Sequence, residues 1–135
     1  MVPGGHVEIN ENPWDALVHE IFEETGYEMN QLQVLQPYGL PTVDINDAHT
    51  VQHPIPFIVD THLMETNVKN HNHINLSYLF YTDQLPKHEV TGDESTIFKR
   101  LTTVKLASAT DDEVLASMRK AGILALALVR KNLWV

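Results

Sequence analysis

The segment from Asn12 to Gly26 constrains the fold most, because it carries the signals for both ends of an amphipathic helix. Asn12 can cap the amino end, and Pro13 suits the first helical position. Gly26 suits the left-handed residue that ends a helix. Between these ends, apolar residues recur at helical spacing: Trp14, Leu17, Val18 and Ile21. A helix with such an apolar stripe is stable when the stripe is buried against another layer of the fold.

The rest of the chain alternates strand candidates with polar loops. Strands are predicted over Leu32–Leu35, Phe57–Thr61, Ile74–Thr82 and Ile97–Val104. Loops and turns are predicted over Pro37–His53, Asn67–His73 and Leu85–Glu94. Helices at both ends with strands between them predict an α+β fold in which helices cover a mixed sheet. The order of the strands is left open by the sequence.

A second helix is predicted near the carboxyl end. The segment Thr110–Glu113 has the capping-box pattern and precedes an apolar run. We expect the helix to follow it through Arg119. Gly122 either ends that helix or lies inside a continuation toward Leu133.

Length and composition exclude several classes of protein. The chain has 135 residues, which fits one domain, so residues 1–135 are interpreted as a single domain. The net charge of −9 argues against binding a nucleic acid polymer, and an anionic substrate would need a local cation. The absence of cysteine excludes disulfides and thiol nucleophiles. With neither a signal-peptide pattern nor an apolar run long enough for a bilayer, we expect a cytoplasmic protein without a membrane partner.

Three carboxylates form an acidic face on the first helix. Glu20, Glu23 and Glu24 are three and four residues apart, so they lie on one face, opposite the apolar stripe. Their mutual repulsion, and the negative end of the helix dipole, both destabilise this arrangement. A hard divalent cation would offset the repulsion. The alternative interpretation is a solvated acidic helix face, which is common on acidic proteins.

The spacing of the glycines and acids is more specific than the acids alone. Gly5 is followed after five residues by Glu11, then after seven residues by His19-Glu20-Ile21, and then by Glu23-Glu24, with Gly26-Tyr27 at the end. This pattern resembles the Nudix box, the signature of the Nudix hydrolases. Every defined position matches except one, where His19 stands in place of arginine. Pro3-Gly4 before the box also resembles the family.

The resemblance implies a Nudix-like α/β/α sandwich around a mixed sheet. It also implies hydrolysis of a nucleoside diphosphate linked to another group, with Mg²⁺ or Mn²⁺ as cofactor. Glu23 and Glu24 match the principal metal ligands, and Glu20 matches a residue that ligates metal or acts as the base. The backbone carbonyl of Gly4 matches a further ligand, and Glu11 matches the acid that supports the loop.

His19 is the first departure from the family pattern. The family's arginine holds glutamates of the site in place through charged hydrogen bonds, whereas histidine is shorter and is only partly charged at pH 7. Either His19 replaces the arginine in this catalytic role at lower efficiency, or the site is weakened. We adopt the first interpretation and expect activity to be retained.

The second departure is the position of the box, which begins at residue 5. Family domains usually have strands of the central sheet before it. We therefore expect a sheet that lacks its amino-terminal strands, either because the chain is a fragment or a short gene product or because another chain supplies them. A sheet with an unpaired edge favours association, which allows a homodimer.

Further candidate residues lie outside the core of the box. Glu94 matches a late-loop acid that acts as base in the family, with an exposed turn as the alternative. His6 and Glu8 lie beside the metal loop and either contact substrate or are exposed loop residues. His73 is a substrate-binding candidate. His71 and His73 share a strand face and could pair as ligands, or they belong to a polar loop that enters a strand.

Three functions are compatible with these features. The first is a metal-dependent pyrophosphohydrolase acting on a small nucleotide-like substrate. The second is a non-catalytic or incomplete Nudix-like nucleotide-binding domain. The third is an acidic interaction domain in which the spacing is accidental. Nucleoside triphosphates and nucleoside diphosphate sugars both remain open as substrates, because fold and motif do not decide the substrate.

Overall fold

A computed structural model describes residues 3–37, 48–65, 69–90 and 101–131 of the chain. The described elements are α1 Pro13–Thr25, a 3₁₀ turn Met29–Gln31, β1 Gln33–Val34, β2 Ile58–Met64, β3 His71–Ser77, β4 Phe80–Tyr81, α2 Thr103–Ser108 and α3 Ala116–Arg130. The predicted α+β class is confirmed. No helix within these ranges is long and apolar enough to cross a bilayer.

Helix α1 forms where the capping residues predict it. The Asn12 side chain accepts hydrogen bonds from the backbone N–H groups of Trp14 and Asp15, at 2.9 and 3.0 Å. At the other end, Gly26 adopts a left-handed φ of 71°, and its N–H donates to the carbonyl of Phe22 at 3.0 Å. Both helix ends are therefore satisfied by residues that the sequence alone identifies.

The apolar stripe of α1 packs against aromatic residues near β4. Ile21 is buried, and the ring of Trp14 meets Tyr78 edge-on, with ring centroids 5.2 Å apart. The ring of Phe80 also contacts Trp14, with centroids 6.2 Å apart, and the ring of His53 stacks on Trp14 at a centroid distance of 6.3 Å. Trp14 is thus part of the packing between helix and strand, as its place on the stripe predicts.

The described strands form two antiparallel pairs. β1 pairs with β4 through Gln33↔Tyr81 and Val34↔Phe80. β2 pairs with β3 over seven residues, from Ile58↔Ser77 to Met64↔His71. Among the strands in the described ranges, these pairs are two separate two-stranded sheets, not one mixed sheet.

The predicted strand Ile74–Thr82 is divided into two. β3 ends at Ser77, and β4 begins at Phe80, because the two halves pair with different partners. Leu79 lies between them, and its carbonyl accepts a hydrogen bond from Leu35 at 2.8 Å. The turn predicted over Asn67–His73 is wrong in its last part, since His71 to His73 pair with β2.

The predicted strand Ile97–Val104 is wrong at its carboxyl end. Thr103 and Val104 begin α2, with the Thr102 hydroxyl accepting a hydrogen bond from the Lys105 N–H at 3.3 Å. Residues 97–100 lie outside the described ranges, as do residues 38–47 and 91–94 of the predicted loops.

The carboxyl-terminal helix begins later than the capping box and continues past the glycine. Thr110 N–H donates to the Glu113 carboxylate at 3.1 Å, but this contact closes a turn, and α3 begins at Ala116. Helix α3 continues through Gly122 to Arg130. A Cβ at Gly122 would lie 2.8 Å from a methyl group of Leu106, so the glycine permits close packing of α2 on α3.

The β2–β3 hairpin has one polar and one apolar face. The polar face carries Asp60, His62, His71, His73 and Asn75, together with Ile58, Met64 and Ser77. The other face, which we call the apolar face, carries Thr61 and Asn72 together with four apolar residues that are 37–69 % exposed: Val59, Leu63, Ile74 and Leu76. An exposed apolar sheet face of this kind favours association.

Replacing Gly26 by alanine is expected to destabilise the protein by about 2–4 kcal/mol. Alanine is strained at a left-handed φ, and its Cβ would overlap the backbone carbonyl of His88. Gly122→Ala is the control, because it gains helix propensity and displaces only the end of the flexible Leu106 side chain, for a net change within about 1 kcal/mol. Urea unfolding of both variants measures the difference. Equal stability of Gly26→Ala and wild type would contradict a left-handed helix end packed against His88.

Candidate active site

The Gly4–Gly5 loop lies against two of the three acids on α1. The backbone N–H of Gly4 donates to Oε2 of Glu24 at 2.9 Å. Gly5 touches the Glu20 carboxylate so closely that a Cβ at this position would overlap it. Because Glu20 and Glu24 are one helical turn apart, α1 presents both carboxylates to the loop. The structure therefore brings together Gly4, Glu20 and Glu24, all of which the sequence predicts as site residues.

The donors around this loop suit a hard cation. The third acid, Glu23, is exposed on α1 between the other two. Carboxylate and carbonyl oxygens are the ligands that Mg²⁺ prefers, so the donor set fits Mg²⁺ or Mn²⁺. Within the described ranges, no three His, Asp or Glu side chains are grouped closely enough to hold a metal ion as they stand. The assignment of Gly4, Glu20, Glu23 and Glu24 as metal ligands stays a prediction.

His19 contacts the acid that precedes the helix. Its Nδ1 lies 2.7 Å from Oε1 of Glu11, whose side chain is only 13 % exposed. The other carboxylate oxygen of Glu11 accepts a hydrogen bond from the backbone N–H of Glu8 at 3.1 Å. His19 is thus joined through Glu11 to the loop that leads into α1. Through this contact His19 stabilises the position of the loop.

His19→Arg is expected to preserve kcat or to raise it by up to about tenfold. The guanidinium is always charged and can hold the Glu11 carboxylate with two hydrogen bonds, whereas the imidazole contacts it through Nδ1 alone. Steady-state hydrolysis at pH 7 compares the two proteins, with His19→Ala as the variant that loses the contact. A large fall in kcat for a stably folded His19→Arg would show that the imidazole has a role of its own.

The substrate-binding candidates are only partly brought together. The rings of His6 and His73 meet edge-on, with centroids 5.4 Å apart, so the segment after the glycine loop contacts β3. The pKa of His73 lies below its usual value, first because of desolvation and then because of the neighbouring histidines. Glu8 is exposed, and its backbone N–H contacts Glu11. Glu94 lies outside the described residues, so its role as a base stays a prediction.

A contact that the sequence does not predict stabilises the end of α1. Glu28 is paired with Lys87 at 2.5 Å and with His88 at 2.9 Å. These hydrogen bonds, to His88 and then to Lys87, lower the pKa of Glu28 to about 2. The His88 N–H also donates to the carbonyl of Gly26 at 3.2 Å, and its ring lies edge-on to Phe22. Partners that lie 59 and 60 residues away leave no local signal in the sequence.

Comparison with known proteins identifies the family. Residues 1–119 match the NUDIX domain family, and the chain belongs to that family. A protein of Lactococcus lactis subsp. cremoris (strain MG1363) named "Probable DHNTP pyrophosphohydrolase" is 32 % identical over 85 residues. The similarity covers 62 % of this chain and 40 % of that relative, so the chain spans less than half of the relative's length. The resemblance of the box to the Nudix pattern is confirmed, whereas the interpretation of residues 1–135 as one domain stays a prediction.

Proposed function

We propose that this chain is a Nudix pyrophosphohydrolase that cleaves a diphosphate linkage in a small nucleotide-like molecule. The observation that carries the proposal is the contact of the Gly4–Gly5 loop with Glu20 and Glu24 inside a chain of the NUDIX family. The acidic face is therefore packed against a glycine loop instead of being only solvated. This arrangement is what a diphosphate hydrolase needs, since the reacting group is an anion in an acidic protein.

Each residue of the site has a proposed role in the hydrolysis. Glu20, Glu23, Glu24 and the carbonyl of Gly4 would hold Mg²⁺ or Mn²⁺, which neutralises phosphate charge and lowers the pKa of water when bound. In the proposed reaction a water molecule attacks one phosphorus of the diphosphate linkage, and a carboxylate accepts its proton. The bond from that phosphorus to the bridging oxygen breaks, and the other phosphate group leaves with the bridging oxygen. Glu20 is proposed as this base, with Glu94 as the second candidate. The Gly4 N–H fixes the position of the Glu24 carboxylate, and His19 with Glu11 braces the loop.

The proposed substrate is a nucleotide-like di- or triphosphate derivative. The relative's name specifies DHNTP, so DHNTP belongs among the compounds to be tested. Nucleoside triphosphates, including oxidised ones, and nucleoside diphosphate sugars complete the set. His6, Glu8 and His73 are proposed to contact the part of the substrate beyond the diphosphate, because His6 and His73 meet beside the glycine loop.

Release of phosphate or pyrophosphate from this set of compounds, with and without Mg²⁺, tests the proposal. Wild type should show Mg²⁺-dependent turnover on at least one compound, and Glu23→Gln should lose it. The best substrate then defines the branch of the family. A folded protein that binds Mg²⁺ but hydrolyses none of the compounds would overturn the proposal in favour of a non-catalytic nucleotide-binding domain.

We further propose that the chain forms a homodimer through the apolar face of the β2–β3 hairpin. Ile74 is 69 % exposed at the centre of that face, so a charge there should prevent association. Multi-angle light scattering should give twice the monomer mass for wild type and the monomer mass for Ile74→Lys. Asn75→Lys places the same charge on the opposite face and should leave the dimer intact. A monomeric wild type at all concentrations would contradict this proposal.

A further inference from the structure

Four histidines meet beside the glycine loop. The ring of His73 has three histidine neighbours, with centroid distances of 4.9 Å to His71, 5.4 Å to His6 and 5.6 Å to His62. They come from three parts of the chain. β3 supplies His71 and His73 on one face, β2 supplies His62 directly opposite His73, and His6 follows the glycine loop. We call these four residues the histidine cluster.

The two histidines of β3 face each other through their Nε2 atoms. These atoms are 3.0 Å apart. Nδ1 of His71 lies 3.2 Å from the carbonyl oxygen of Lys69, which can only accept a hydrogen bond, so Nδ1 carries the proton. In the neutral ring, Nε2 of His71 then carries a lone pair, which faces Nε2 of His73. A histidine that donates through one nitrogen to a backbone carbonyl and offers the other is the form that binds metals.

The distance between the two nitrogens matches adjacent ligands of one cation. Two nitrogens at about 2.1 Å from a metal and at right angles to each other lie about 3.0 Å apart, whereas tetrahedral ligands lie about 3.4 Å apart. The observed 3.0 Å therefore fits neighbouring positions of an octahedral site. Imidazole nitrogens favour borderline transition cations over Mg²⁺, which takes oxygen ligands.

We propose that the histidine cluster binds one divalent transition cation of the Ni²⁺, Co²⁺ and Zn²⁺ class, with Nε2 of His71 and of His73 as the first two ligands. No three potential ligands in the described ranges are yet close enough around one point to hold a metal. The pair on β3 is the preformed part of the site. His62 or His6 completes it by a change of side-chain rotamer, and water fills the remaining positions.

The bound cation would connect the hairpin to the glycine loop. His6 is two residues from Gly4, whose N–H contacts Glu24, whereas His62 and His73 are held in register by the β2–β3 pairing. The site is chemically distinct from the acidic face, because its donors are nitrogens. The proposed cation site does not depend on the proposed hydrolysis, so a protein without turnover can still bind the cation.

Isothermal titration of untagged, chelator-treated protein with Ni²⁺ and with Zn²⁺ tests the proposal, with millimolar Mg²⁺ present to occupy oxygen sites. We expect one cation per chain, with a Kd of about 1 µM or below for Ni²⁺. His73→Ala should weaken binding about tenfold or more. His71→Asn is the second variant, and circular dichroism shows whether each variant is folded.

Two matched controls separate the histidine cluster from other sites. His88→Gln removes a histidine that pairs with Glu28, away from the cluster, and should leave the affinity unchanged. Glu24→Gln alters the acidic face and should also leave it unchanged. Wild-type affinity in folded His71→Asn and His73→Ala would overturn the proposal, as would loss of binding in Glu24→Gln. In either case the short contact between the two rings would be a shared proton, not a ligand pair.

Discussion

Glu24→Gln is expected to lower kcat for Mg²⁺-dependent hydrolysis about 10²–10³-fold, because the neutral amide would hold a divalent cation at the reacting phosphate less well than the carboxylate. The charge stabilisation that such a cation supplies in the transition state is worth about 3–4 kcal/mol. Glutamine has the same shape as glutamate and can still accept the hydrogen bond from the Gly4 N–H. The loop contact is therefore kept, and only the negative charge is removed. Steady-state kinetics over a range of Mg²⁺ concentrations measure the loss, and part of it should be recovered at high Mg²⁺.

Glu28→Gln is the matched control for this prediction. It removes the same charge just beyond the end of α1, where Glu28 pairs with Lys87 and His88. We expect turnover to stay within about twofold of wild type, since Glu28 lies beyond the end of α1 and its ion pairs are with Lys87 and His88. An equal loss in both variants would show that the overall charge, and not Glu24 itself, controls the rate.

Glu28→Gln should also change how the stability of the folded protein depends on pH in acid. The pKa of Glu28 is lowered from 4.5 to about 2 in the folded protein, so its contribution to stability is present above pH 4.5. It is lost as the pH falls from 4.5 towards 2. Glu28→Gln lacks this contribution at neutral pH, and its stability should therefore fall less steeply through that window.

The parts of the fold that the sequence predicts are those with local causes. The ends of α1 follow from Asn12 and Gly26, because each residue acts on backbone groups within one turn. The division between β3 and β4 is not predictable in this way. Ile74–Thr82 contains no glycine or proline that would mark a boundary, and only the separate partners β2 and β1 divide it.

The same distinction holds for the candidate site. The fixed spacing of the box predicts that Glu20 and Glu24 lie on one face, which the helix geometry guarantees. The spacing of His71 and His73 likewise predicts a shared strand face. His62 joins them only through the register of the hairpin, which the local spacing of His71 and His73 does not specify.

Gly5→Ala is expected to lower kcat about 10²-fold with little change in the overall fold. The added Cβ would overlap the Glu20 carboxylate, so either that side chain or the loop must move. A displacement of about 1 Å at a reacting group is enough for a loss of this size. Because Gly5 has no left-handed backbone requirement in the structure, alanine adds volume without backbone strain. Kinetics and thermal unfolding, measured on the same preparation, separate the two effects.

A double-mutant cycle with Glu20→Gln identifies the cause of that loss. If Gly5→Ala acts by displacing Glu20, then the second substitution should add little once the first is present, and the two losses should be far from additive. If Gly5→Ala instead moves the whole loop away from α1, the Gly4 contact with Glu24 is also broken, and the double variant should lose clearly more than either single variant. The first result would place the function of Gly5 in the space that it leaves for one carboxylate. The second would place it in the position of the loop.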